Sequence, residues 1–204
     1  MQDPIPMVAI LRGIEEHEII EHGEILLNAG YNMIEVPLNS PNPFASIKKL
    51  VNYCGNNAYI GAGTITKLEY ISPLKETGAN LAITPNLNLD ILKALTKESF
   101  FTYPGVFSPS EAFTALKYQP AGLKIFPADS LGARYIKNIR AILPKDIQII
   151  PVGGICVGNM AEFWSAGASG FGLGSALYKP QMNIADFKSK AHDFMDEFNR
   201  LRNL

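Results

Sequence analysis

A chain of 204 residues is long enough for one sizeable core, and its length gives little reason to divide it. With 47% hydrophobic residues, 18% charged and a formal net charge of −1, it has no basic excess for nucleic acid and no single-sign charge tail. Apolar stretches of four to six residues are too short to span a bilayer, and MQDPIPMVAI at the start lacks the basic and long apolar regions of a secretory leader. A cytoplasmic protein is therefore expected, with no membrane or nucleic-acid partner. Cys54 and Cys156 show no CxxC spacing and are read as free thiols.

Along the chain, short apolar runs recur at MVAILRG (7–13), YNMIEVPLN (31–39), AYIGAGT (58–64), LAITPN (81–86), FFTYPGV (100–106), AGLKIFP (121–127), IQIIPVGG (147–154) and SGFGLGS (169–175). Each ends in Gly, Pro, Asn or Thr, as a buried parallel strand entering a loop should. Between them lie segments with apolar residues at helical spacing, such as EEHEIIEHGEILLNAG and SPSEAFTALKYQ. Glycine stops follow at 28–30, 76–79 and 165–168. The last segment, IADFKSKAHDFMDEFNRLRNL, reads as a closing amphipathic helix. Eight strands alternating with helices predict a parallel α/β fold, and the count favours a closed (β/α)8 TIM barrel over an open sheet. No linker or composition shift marks a boundary, so residues 1–204 are read as a single barrel domain.

In such a barrel the working face is built from the C-terminal ends of the strands. Two charged residues interrupt apolar strands there: Glu35 between Ile34 and Val36, and Lys124 between Leu123 and Ile125. They form either a structural ion pair or an activated amine beside a carboxyl acid/base. An amine attacks a carbonyl only when neutral. Bringing a lysine from about 10.4 to roughly 7–8 takes around 4 kcal/mol of differential stabilisation, which burial and a nearby Arg12 supply. Such an amine forms an iminium with a ketone, and the iminium draws electrons from the neighbouring carbon. Glu35 with Lys124 is the minimum set for a metal-free aldolase. His17, His22 and His192 fall in helical segments away from the strand ends, so neither a metal centre nor a histidine-based nucleophile is expected, and no cofactor.

Glycines follow the last two strands: Val152-Gly153-Gly154 and then Gly174-Ser175. They let backbone N–H groups approach an anion, and a short helix after Ser175 is expected to point its positive end at it. Loops in these positions commonly hold phosphate. Thr64 either binds a carboxylate or caps the next helix. Arg12 suits a substrate carboxylate or forms a surface salt bridge, and Phe126 either shields the lysine from water or simply packs.

With these residues placed, the sequence resembles the bacterial 2-keto-3-deoxy-6-phospho-sugar-acid aldolases over essentially its whole length. AILRG, IEVPLNSP, GAGT, TPN, PG, LKIFPA, VGG and GLGS occur in the family's order. The resemblance implies a class I enzyme on a (β/α)8 barrel, with Lys124 as the Schiff-base residue and Glu35 as the acid/base. It implies pyruvate contacts from Arg12, Thr64 and Pro85, phosphate contacts from Gly153, Gly154, Gly174 and Ser175, and a homotrimer acting on a phosphorylated keto acid. Asn39 and Val152 stand where the phosphogluconate branch usually has arginine and threonine. Both resemble the phosphogalactonate branch, whose substrate is the C4 epimer, so the two positions are expected to touch substrate. The gluconate epimer or a broader oxo-acid range stays open. From another class, so does a phosphate-gripping isomerase, synthase or binder with no covalent lysine.

Overall fold

The computed structural model describes residues 3–204; Met1 and Gln2, the start of the stretch read for a leader, lie outside them. Strands β1 (Met7–Ile10), β2 (Met33–Pro37), β3 (Tyr59–Gly63), β4 (Leu81–Ile83), β5 (Phe101–Tyr103), β6 (Gly105–Val106), β7 (Gly122–Ile125), β8 (Gln148–Pro151) and β9 (Phe171–Leu173) fall on the eight predicted runs. They pair in parallel throughout, as a six-stranded sheet ordered β5-β4-β3-β2-β1-β9 and a three-stranded sheet ordered β6-β7-β8.

The strand count differs from expectation at one point. FFTYPGV makes two short strands because Pro104, between β5 and β6, has no N–H to give to a ladder. Its carbonyl still works, accepting from Lys124 N (3.0 Å), while Thr102 O accepts from Ala121 N (3.0 Å). At the other junction, Val152 forms a single parallel bridge with Gly172.

Helices α1 (Ile19–Asn28), α2 (Pro43–Cys54), α3 (Ile71–Glu76), α4 (Leu89–Lys97), α5 (Pro109–Leu116), α6 (Ala128–Arg140), α7 (Val157–Ser165) and α8 (Ile184–Arg202) run between and after the strands. The first begins four residues later than EEHEII implied, since Glu18 Oε2 accepts from Glu15 N (3.1 Å) and holds that stretch as a turn. At α5, Ser108 and Glu111 form a capping box that starts the helix where the sequence places it. Directly after Ser175 there is a turn where a short helix was expected. Leu177 N and Tyr178 N both donate to Gly174 O (2.9 and 3.0 Å), closing one turn before Pro180 stops it.

Alternation along the strands sorts the core into two layers. Met7, Ala9, Ile34, Val36, Leu123 and Ile125 face outward into the large cluster shared with the helices. Val8, Ile10, Met33, Leu81, Ile83, Tyr103, Ile150 and Val152 make a smaller inner cluster. The same parity turns Glu35 and Lys124 inward. Glu35 pairs in register with Ile10 on one side and Gly61 on the other; Lys124 pairs with Gly105 and Ile150.

Candidate active site

Lys124 reaches its place because β7 is apolar on both sides of it, so the strand is buried and carries the amine with it. Lys124 is 5% exposed and Glu35 1% exposed. No salt bridge within 4.0 Å joins them; the four among the described residues are Lys49–Glu16, Lys67–Glu69, Lys75–Glu98 and Arg200–Glu197. Glu35 Oε2 is buried without a hydrogen-bond partner. The Lys124 amine stands 5.0 Å from the centre of the Phe126 ring, close enough for a cation–π contact when it is charged.

Burial dominates the electrostatics of both groups. It pushes the Lys124 pKa down; the Glu35 carboxylate opposes that and the Arg12 guanidinium adds to it. It pushes the Glu35 pKa up, against the pull of Lys124 and Arg12. Both groups are driven towards their neutral forms, which for the amine is the nucleophilic one.

Above Lys124 lies a cavity of about 620 Å³. Of the residues expected there, Arg12, Thr64, Pro85, Lys124, Phe126, Val152, Gly153, Gly154, Gly174 and Ser175 line it. Glu35 instead lines a small void of about 10 Å³ that it shares with Lys124, so the lysine spans the two spaces. Asn39 lines neither. Its Oδ1 accepts from Arg12 Nη1 (2.5 Å), while Thr64 Oγ1 accepts from Arg12 Nη2 (3.2 Å). Asn39 and Thr64 thus grip the guanidinium from two strand ends. Thr64 does so with φ at 56°, in the left-handed region that a β-branched residue rarely enters.

The remaining parts are set by backbone. Thr84 Oγ1 donates to Asn86 O (2.7 Å) and accepts from Gly105 N (3.1 Å), which fixes Pro85 between them. Gly153 and Gly154 have φ of +100° and +68°, and a Cβ on Gly154 would stand 2.4 Å from Asp129 Cβ. The loop's carbonyls are tied down: Val152 O accepts from Ala128 N (2.8 Å), Gly153 O from Asp129 N (3.2 Å) and Gly154 O from Asn159 Nδ2 (2.9 Å).

Sequence reasoning missed part of the lining: Ile155, Cys156, Ala176, Tyr178, Lys179 and Pro180. Lys179 brings an exposed ammonium next to the glycine loops, and among the described residues it has no ion-pair partner. Its signal was position alone, four residues past Ser175. His22 lies in α1 and His192 in α8, whereas His17, expected in the first helix, falls in the turn before α1 because that helix starts late; no group of three or more His, Cys, Asp or Glu among the described residues is arranged to hold a metal. No helix among them is long and apolar enough to cross a membrane.

A desolvated amine beside a desolvated carboxyl, under a cleft at the C-terminal ends of parallel strands, is equipped for the carbonyl chemistry of a carbon–carbon lyase. Comparison with known proteins narrows the class. The family described as KDPG and KHG aldolase matches residues 3–190, and the chain belongs to it. It is 38% identical over 197 residues to a 2-dehydro-3-deoxy-6-phosphogalactonate aldolase of Escherichia coli K12, covering 97% of this chain and 96% of that one. A probable enzyme of the same name from Rhizobium meliloti is 40% identical over 186 residues, 91% and 88% of the two chains. A solved structure described as native KDPGal superposes with a TM-score of 0.97 at 37% identity, covering 100% of this chain and 99% of that one.

Proposed function

We propose that the chain is a class I aldolase that reversibly cleaves 2-dehydro-3-deoxy-6-phospho-D-galactonate to pyruvate and D-glyceraldehyde 3-phosphate. The observation that carries this reading is the inward pair of Glu35 and Lys124, each buried and each pushed towards neutrality. The names of the two curated relatives support the choice of substrate.

The Lys124 Nζ lone pair adds to the C2 carbonyl carbon; the protonated Glu35 carboxyl gives its proton to the resulting hydroxyl, which leaves as water, and the product is an iminium beside the Glu35 carboxylate. Glu35 takes the C4 hydroxyl proton. The C3–C4 bond pair becomes the C2=C3 double bond as the C=N π pair moves to the iminium nitrogen, giving an enamine while C4 leaves as the aldehyde. Glu35 returns a proton to C3, water adds to the imine carbon, and pyruvate departs. Arg12, held by Asn39 and Thr64, faces the pyruvate carboxylate with Pro85 beside it. Gly153, Gly154, Gly174 and Ser175 receive the phosphate, and Lys179 supplies charge there that backbone amides lack.

The two sheets are proposed to be one closed (β/α)8 barrel. The Pro104 carbonyl and the Val152–Gly172 bridge support closure at the two junctions. The whole chain would then be a single domain. A cytoplasmic homotrimer is the proposed form; Phe107 and Phe113 stay exposed on one subunit, apolar surface that a neighbouring copy would cover.

Epimer choice is tested by comparing kcat/KM for pyruvate release from the galactonate and gluconate acids. The galactonate epimer is expected to be preferred. Val152→Thr should narrow the preference by about twofold to tenfold, the worth of one hydrogen bond to a neutral group. Equal use of the two epimers by the parent would overturn the substrate assignment and leave the covalent chemistry standing. Failure to release pyruvate from either would overturn the aldolase reading.

A further inference from the structure

The segment Gly61-Ala62-Gly63-Thr64 ends β3 opposite Glu35, and its second glycine has no backbone reason to be one. Gly63 is not among the residues with positive φ, so its conformation is open to any L-residue. Gly61 differs, since a Cβ there would stand 1.7 Å from the Leu81 backbone carbonyl oxygen. At Gly63 the added atom would meet one side chain. Glu35 Oε2 would lie at 1.8 Å, its carboxyl carbon at 2.3 Å and Oε1 at 2.6 Å.

Register explains the meeting. Gly63 pairs with Pro37, two residues beyond Glu35, so positions 35, 37, 61 and 63 point to the same face. The space that a side chain at 63 would fill is the space the Glu35 carboxyl occupies. That carboxyl is buried, and Oε2, the oxygen nearest the missing Cβ, has no hydrogen-bond partner to hold it. Absence of a side chain is therefore what lets the carboxyl stand where it does.

We infer that Gly63 is a positioning residue for proton transfer: it leaves the pocket that holds the Glu35 carboxyl against the lysine-bound substrate. The inference rests on the acid/base role proposed for Glu35.

The test uses pyruvate alone with the full-length protein. Two quantities are read: borohydride trapping of pyruvate on Lys124, and uptake of solvent deuterium into the pyruvate methyl group. In the second, Glu35 removes a methyl proton from the iminium, the C–H electron pair forms the enamine, and a solvent-derived deuteron is returned to the carbon. Gly63→Ala is expected to slow uptake by about 100-fold, the worth of a displaced acid/base, while trapping persists. Shortening the carboxyl removes the overlap. Glu35→Asp alone sets a lower reference rate, and adding Gly63→Ala to it should change that rate by less than about twofold.

An equal loss from Gly63→Ala with Glu or Asp at 35, or undiminished uptake with Glu at 35, would overturn the inference. If Gly63→Ala with Glu35 fails to fold, thermal melting reads the same contact. Recovery of the Glu35→Asp melting temperature in the double variant supports it, and failure to recover overturns it. Glu35→Gln separates this idea from the one beneath it. Uptake preserved in Glu35→Gln sinks the proposed role of Glu35, whereas uptake lost there but kept in Gly63→Ala sinks only the role of Gly63.

Discussion

Lys124→Ala is expected to reduce aldol cleavage by at least about 10⁴-fold and to eliminate borohydride-dependent attachment of pyruvate, because among the described residues no other lysine is buried. Lys124→Met, nearly the same shape without the amine, should fold as the parent does and be equally inactive. The pair separates loss of chemistry from loss of structure. Mass spectrometry of the intact chain after incubation with pyruvate and borohydride gives the reading, and circular dichroism confirms the fold. A Lys124→Met protein that still gains the mass of reduced pyruvate would place the imine on another lysine. Turnover with parent kinetics would remove covalent catalysis altogether.

Glu35→Gln carries the second large effect and a pH signature with a defined sign. Loss of the acid/base should slow methyl proton exchange by about 10²–10⁴-fold. Imine formation needs neutral Lys124, so its rate rises with pH through the amine's pKa. Burial lowers that pKa, the Glu35 carboxylate raises it and Arg12 lowers it. Removing the carboxylate charge leaves only lowering influences. The rising limb of the trapping rate in Glu35→Gln should therefore lie at lower pH than in the parent. The measurement is the initial rate of trapping across pH at saturating pyruvate. A limb that stays in place, or moves to higher pH, would show that the Glu35 charge does not act on Lys124.

Much of this was legible in the residues, for physical reasons that also mark where legibility stopped. Buried parallel strands are short, apolar and punctuated, so all eight runs were visible, and a charged residue inside such a run had to be paired or functional. What failed was local. Pro104 splits a strand because it removes one donor, a detail hidden inside an otherwise continuous apolar run. Directly after Ser175 the chain makes one hydrogen-bonded turn instead of the expected short helix. Asn39 was expected to touch substrate because it stands where the phosphogluconate branch has arginine; the structure adds a partner the sequence did not show, Arg12, from which its Oδ1 accepts. Its link to epimer choice, if the kinetics show one, would run through the guanidinium. Gly63 was hidden for a different reason. What it contributes is empty space, and only the position of Glu35 shows what that space holds.

Thr64 sets backbone comfort against the anchoring of Arg12 in a single residue. Holding a β-branched side chain at φ 56° costs about 1–2 kcal/mol that glycine would not incur, yet only the hydroxyl reaches Arg12. Glycine at this position would relax the backbone and leave the guanidinium held by Asn39 alone.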